Sequence, residues 1–284
     1  MNTKSKFQPH IGTQLCRLFL IIYSCIAVYP VLWVFMSSLK TNRTLFDNLL
    51  MPPPLTDLNW INYVDAWHRA RISTYFLNTF FITIASLALM LLFASMAAYA
   101  LAKYKFRGNR LITFLYVSGL MIPGVIGIIP LYLMLHSMSL LDNRGTLVLM
   151  NLVTTMPFSV FLLIAFFKTI PTEISEAGII DGCNHFTLFS RIAFPLAKPG
   201  LIPVLIIQFV TCWNEVYYSM ILIHSPYKRT LQIGLLNMQR VQFQAADWVV
   251  MYAAVIIVTL PTIIIYILFQ KKIIEGVNMG AIKG

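Results

Sequence analysis

The chain has 284 residues, 58% of them hydrophobic and only 11% charged. A soluble domain of this size carries closer to a quarter charged residues, so the composition excludes an ordinary water-soluble protein and indicates a polytopic membrane protein. The net charge of +11 would suit nucleic acid, but the Lys and Arg are scattered over short loops, the usual pattern beside membrane helices, so no nucleic-acid partner is expected.

Six apolar runs are long enough to cross a hydrocarbon core of roughly 30 Å as helices. They cover about 15–38, 74–101, 111–135, 146–168, 201–223 and 248–270. Only sustained helices pair every backbone polar group of an open chain inside lipid. The expected fold is therefore all-α, with six transmembrane helices forming one membrane domain over residues 1–284. The first run is longer than the apolar region of a signal peptide, and no small-residue cleavage pattern follows it cleanly, so it reads as a transmembrane helix.

With the N-terminus inside, thirteen of the 21 Lys and Arg fall on the cytoplasmic side. The deciding loop is Lys103 to Arg110, with four positive charges in eight residues and no acid. Both termini, the tail 271–284 and the polar segment 171–200 are then cytoplasmic, and the loops of about 39–73 and 224–247 lie outside.

In the first outer loop, Pro52, Pro53 and Pro54 preclude a helix. Asn62 to Arg71 suits a short interfacial helix, with Trp60, Tyr63 and Trp67 as headgroup-level aromatics. The third run is interrupted by Gly119, Pro123, Gly124, Gly127 and Pro130. Broken helices are tolerated where they line a cavity, which makes Pro123, Gly124 and Gly127 candidates for a translocation path. Pro157, Pro203 and Pro261 are expected to bend the later spans.

The segment Pro171 to Gly200 is a polar island between two apolar runs. It holds Glu173, Glu176 and Asp181, three of ten acidic residues. Pro171 suits a helix start, and the two Glu place negative charge near the positive helix end. Ile174, Ala177, Gly178 and Asp181 share one helical face, kept small by Ala177 and Gly178. Asp181-Gly182 marks a turn. A second short helix fits Thr187 to Ala193, with Phe186, Phe189 and Ile192 on one side. Pro195 and Pro199 are expected to stop it. The result is a helix–turn–helix on a surface that should prefer Lys and Arg.

Within the fifth run stand Asn214 and Glu215. Ionisable groups inside a membrane are costly and usually face a cavity or a partner. Two readings stay open: they line a path or outer gate, or they make a structural hydrogen bond to another helix. Cys16, Cys25, Cys183 and Cys212 have no metal-ligand spacing, and the five His are dispersed, so neither a metal site nor a catalytic cluster is expected.

Glu176-Ala177-Gly178, then Gly182, then Ile192, Phe194 and Pro195 resemble the EAA loop of binding-protein-dependent ABC importer permeases. That pattern is Glu-Ala-Ala, three residues, Gly, nine residues, Ile-x-Leu-Pro. Every spacing matches, with Gly178 in place of Ala and Phe194 in place of Leu. The chain is most similar to the smaller permease subunit of the maltose-type carbohydrate importers. The outer PPPLTDLNWINY stretch, KYKFRGNR, the MIPGVIGIIPLY helix, Trp213-Asn214-Glu215 and the C-terminal tail carry this likeness.

The resemblance implies a coupling helix seated on a cytoplasmic ATPase subunit, with Glu173, Glu176, Ala177, Gly178, Asp181, Gly182, Phe189 and Pro195 as the coupling residues. It implies that Gly280, Lys283 and Gly284 of the tail reach between two ATPase subunits. It also implies that the second outer loop, with Gln239, Gln242 and Gln244, meets a solute-binding protein. The implied partners are a second, larger permease subunit, two ATPase subunits and a solute-binding protein, in a bacterial or archaeal cell membrane. The cargo would be a sugar or oligosaccharide, with a polyol or glycerol phosphate still open. The chain itself is expected to be non-catalytic and without a cofactor. ATP and magnesium would sit in the partner ATPase, since no GxxxxGK[ST] sequence is present. The alternative is a self-sufficient secondary carrier, which would call for inverted repeats and several ionisable groups at mid-membrane, where only Glu215 clearly lies.

Overall fold

The computed structural model describes residues 11–68, 71–245 and 247–281. Five helices are long and apolar enough to cross a membrane, or six if one sharply bent pair is counted as a single span. The described residues sort into two compact units. One comprises the chain up to residue 70 with Asn237–Ile257; the other comprises Arg71–Leu236 with the chain from Val258.

In the first unit, α1 (Ile11–Ser38) is apolar all round and almost wholly exposed along its length. The chain then folds back on the end of α1. Thr41 caps α2 (Asn42–Asp47) in a reciprocal capping box with Thr44. The next helix, α3 (Ile61–His68), is pinned by Asn62. Its buried amide donates to the Ser38 carbonyl at 2.7 Å and the Lys40 carbonyl at 2.8 Å. The Tyr63 hydroxyl shares a 2.7 Å hydrogen bond with the Ser38 hydroxyl. Tyr63 thus serves as a tie to α1, where the sequence suggested a headgroup aromatic. Lys40 is buried, donates to the Asn48 carbonyl at 2.7 Å, and burial lowers its pKa.

The second unit is built on three packed spans: α4 (Ile72–Lys103), α7 (Arg144–Thr169) and α11 (Lys198–Trp213). Asn78 lies beside Arg144 and Lys103 beside Ile170, so α4 and α7 run in the same direction. Running opposite, α11 approaches closely at Gly200, where a Cβ would sit 2.2 Å from Phe166 Cγ. At its other end Trp213 is 1% exposed, stacks on Phe209, meets the edge of Phe76 and donates to the Val258 carbonyl at 3.1 Å. Buried Gln208 bridges α11 to α7 through the Ser159 hydroxyl at 3.2 Å. The helices run through Pro157, Pro203 and Pro261.

Between α4 and α7 the chain returns through a broken span. This consists of α5 (Asn109–Gly119), a 3₁₀ turn (Gly124–Gly127) and α6 (Ile128–Ser137), bent by 91°. Beyond α7 come α8 (Thr172–Ile180), α9 (His185–Thr187), a π-helical segment (Leu188–Ala193) and α10 (Phe194–Leu196), leading into α11. After α11 follow α12 (Tyr217–Leu222), α13 (Leu231–Ala245) and α14 (Trp248–Ala281). Two segments between or beyond the spans are helical. The segment 224–247 is mostly the helix α13, because Leu, Gln and Met are good helix formers even where the apolar period is weak. The tail up to Ala281 continues α14 as helix.

The ends of α4, α6, α7 and α12 are tied by one polar lattice. Asp142 adopts a left-handed backbone (φ 53°), and its carboxylate accepts from the backbone N–H of His224 and Ser225, from the Ser225 hydroxyl and from Lys228 Nζ. Asn78 donates to the carbonyls of Tyr227 and Arg229, both at 2.9 Å, and accepts from Arg144 at 2.6 Å. The Ser225 hydroxyl, followed by the backbone donors and Lys228, holds the Asp142 carboxyl well below the usual carboxylate range.

A folded pKa below the unfolded value means that the ionised form stabilises the fold above the ordinary carboxylate pKa of 3.8 and is lost as pH falls toward the folded value. Asp142→Asn is therefore expected to lower the melting temperature at pH 7. The gap to the unaltered protein should narrow below the ordinary carboxylate range, as read by thermal melts of the detergent-solubilised chain at pH 7 and pH 3.

Candidate functional site

The polar island folds as a helix held from beneath. Gly178 is buried, and a Cβ there would lie 2.5 Å from Leu188 Cδ2 and 3.2 Å from Ile192 Cδ1. That closeness is why a small residue stands at this position. The end of α8 is a Schellman turn: Cys183 N–H donates to the Gly178 carbonyl and Gly182 N–H to that of Ile179, with Gly182 at φ 81°. Asn184 caps the next turn by accepting from Thr187 N–H at 2.8 Å. His185 Nδ1 and the Tyr104 hydroxyl lie 2.9 Å apart, linking the island to the residue after α4.

Phe189 is 8% exposed, with its ring 5.3 Å from Tyr99 and 5.8 Å from Phe194. It anchors the segment from inside. Glu173, Glu176, Ala177, Asp181 and Gly182 are on the surface. Beside them the structure exposes Ile180 at 85% and Ile179 at 54%, which the sequence reading had not singled out. The result is a projecting tip that is acidic and apolar together. Exposed apolar residues clustered with charges mark protein-contact surfaces.

Pro195 does not stop the second helix, as the sequence had suggested. The chain stays helical from His185 to Leu196 by widening to π geometry over Leu188–Ala193, and Phe194 N–H donates five residues back to Phe189. A wider turn before Pro195 makes room for a ring that would clash in a regular helix and for its missing donor.

A second region gathers the interrupted spans. The fifth span breaks between Trp213 and Tyr217. Both carboxylate oxygens of Glu215 turn to its own chain. They accept from Tyr218 N–H at 2.6 Å, Ser219 N–H at 3.1 Å and the Ser219 hydroxyl at 2.7 Å. Glu215 therefore caps the first turn of α12. Among the described residues, the hydrogen bond from the Asn214–Glu215 pair to another helix is made by Asn214 and not by Glu215. Asn214 donates back to the Val210 carbonyl and accepts from Gln232 Nε2 at 3.1 Å. The third span's break meets this one: a Cβ on Gly124 would lie 3.1 Å from the Tyr218 hydroxyl. Pro123, Gly124 and Gly127 are exposed. Gly119 packs on Pro157, with 3.3 Å from its Cβ position to Pro157 Cγ.

Of the remaining predicted residues, Gln239 is exposed on α13, while the side chains of Gln242 and Gln244 lie outside the described residues. The backbone of Gly280 is in α14, and Lys283 and Gly284 lie outside the described residues. Among the described residues, no three His, Cys, Asp or Glu side chains gather where a metal ion could be held.

The structure thus holds two interrupted spans that meet at Gly124 and Tyr218, and, at the other end of α4 and α7, a helical hairpin with an exposed acidic and apolar tip. Residues 90–278 match the family described as binding-protein-dependent transport system inner membrane component, and the chain belongs to that family. It is 33% identical to the diacetylchitobiose uptake system permease protein NgcG of Streptomyces coelicolor, over 93% of this chain and 87% of that one. It is 30% identical to the melibiose/raffinose/stachyose import permease protein MelC of Bacillus subtilis, over 93% and 94%. Its structure resembles a chain of a bacterial ABC transporter involved in the import of the acidic polysaccharide alginate. That match has a TM-score of 0.80 at 25% identity and covers 92% of this chain and 96% of that one. The chain is thus a multi-pass permease component of an ABC transporter, in the inner membrane.

Two glycines in the hairpin are expected to differ on substitution. Gly182→Ala places a side chain at positive φ and should weaken the turn by about 1–2 kcal/mol. Gly178→Ala presses on the movable ends of Leu188 and Ile192, which must shift slightly, and should be tolerated, whereas Gly178→Leu should unseat α8. Limited proteolysis of the hairpin in the detergent-solubilised chain reads the difference.

Proposed function

We propose that the chain is the transmembrane subunit of an ATP-driven importer of a sugar or oligosaccharide, acting as one permease domain. A solute-binding protein delivers the cargo, and a second, larger permease subunit and two ATPase subunits complete the assembly. ATP and magnesium belong to the ATPase subunits. The sugar class is supported by the cargo that these three relatives are named for: diacetylchitobiose, melibiose with raffinose and stachyose, and alginate. A self-sufficient carrier is not supported, since the family works with a binding protein.

The observation that carries the coupling role is the tip of α8. Glu176, Ala177, Ile180 and Asp181 project from a hairpin whose inner side is fixed by Gly178, Leu188 and Phe189. A rigid hairpin passes on a push as rigid-body motion; a loose loop would absorb it. In this reading the tip and both termini are cytoplasmic, and Glu173 and Glu176 meet basic groups of an ATPase. Gly280, Lys283 and Gly284 reach between the two ATPases, and α13, with Gln239, Gln242 and Gln244, faces the binding protein. The junction of Pro123, Gly124 and Gly127 with Asn214 and Glu215 lines the translocation path, and Glu215 keeps the break in the fifth span folded.

Glu176→Lys should abolish co-purification of the ATPase subunits while leaving the second permease subunit bound. Retention of ATPase by this variant at wild-type stoichiometry would sink the coupling assignment.

A further inference from the structure

We propose that the amide pair Asn214–Gln232 is a carbohydrate-contacting subsite contributed by this subunit, binding hydroxyl groups of the cargo as it passes the junction of the two broken spans. The inference rests on the reading of the chain as a sugar importer and adds the side chains that touch the sugar.

Asn214 lies within Lys198–Leu222, a stretch long and apolar enough to cross a membrane, yet it is exposed on the surface of the chain. An exposed primary amide within such a stretch is costly against lipid, so its surface faces a water-filled path or another protein subunit. Gln232, half-exposed in the first turn of α13, is brought to it at 3.1 Å. Leu231 N–H, bonded to the Thr79 hydroxyl at 2.8 Å, fixes that turn beside α4.

The valences of the pair are only partly used. Asn214 spends one N–H on Val210 and its carbonyl on Gln232. The Gln232 carbonyl and one N–H from each amide remain to be shared. Two adjacent amides offering both donors and acceptors match neighbouring sugar hydroxyls, which also donate and accept. Amides do so without a charge, so a neutral sugar is held weakly enough to move on. Thr211, one turn earlier on α11, is exposed too, but its hydroxyl is committed to the Ile207 carbonyl. The sequence separation of 18 residues and the intervening α12 hide the pair from any linear motif.

The test uses the complete importer reconstituted in liposomes, with binding protein and ATP, and uptake of N,N′-diacetylchitobiose, melibiose, raffinose, trehalose and an alginate oligosaccharide. Gln232→Leu and Asn214→Leu are compared with the unaltered complex, and Gln232→Glu, which keeps an acceptor, serves as the conservative variant. The readouts are sugar taken up per ATP hydrolysed, ATPase stimulation by loaded binding protein, and melting temperature. The expected result is a fall of about ten-fold in sugar per ATP for either Leu variant, the size of one lost hydrogen bond to cargo. ATPase stimulation and melting temperature should be unchanged, with partial recovery in Gln232→Glu. If uptake, ATPase and melting temperature fall together at constant sugar per ATP, the pair merely fastens α13 to α11 and the proposal is overturned. If the unaltered complex carries a sugar and the variants carry it equally well, the subsite alone is wrong. If the unaltered complex carries none of the five, the sugar-importer reading falls and the subsite with it.

Discussion

The Glu215 carboxylate is the interaction on which the middle of this molecule depends. A span that stops at Trp213 and restarts at Tyr217 leaves backbone donors without helical partners, and lipid offers none. Glu215 supplies them from the break itself, taking the N–H groups of Tyr218 and Ser219 and the Ser219 hydroxyl. With the break satisfied locally, Tyr218 can stand against Gly124 of the other interrupted span, and Asn214 can turn outward to Gln232. An acidic residue inside a membrane span is here the reason an irregular backbone can exist.

The same logic of fixed ends and permitted breaks runs through the second unit. At one end, Asp142, Asn78 and Lys228 tie the loops that enter and leave the spans. At the other, the hairpin of α8 is locked by the close approach of Gly178 to Leu188 and the burial of Phe189. Between them, α4, α7 and α11 pack through Gly200 and Gln208. The breaks are thus confined to the interrupted spans, and the tip of α8 sits on a packed support.

Much of this was legible in the residues. The apolar runs, the breaks at Gly119–Pro130 and the Glu176–Pro195 spacing are local patterns, and local patterns survive without knowledge of neighbours. The Gly178 substitution in the motif looked like a mild departure, and its physical reason emerged only when Leu188 and Ile192 were seen beneath it. Pro195 was misjudged as a stop, because widening to a π turn depends on packing around Phe189 that no propensity encodes. The helix α13 within the segment 224–247 was not legible, because its polar glutamines mask good helix formers.

By itself the sequence determined that the chain is a helical membrane protein, how many apolar runs it has, and which polar segment interrupts them. Each of these follows from composition and from spacing along one helix. Only the tertiary structure decided which polar groups meet. Asp142 finds Lys228 and Asn214 finds Gln232, because α11 and α13 are folded against α4 and α12 against α7. The physical reason is that a hydrogen bond inside a membrane is specified by the approach of helices distant in sequence, and that approach depends on close packing at single positions such as Gly200 and Gly178.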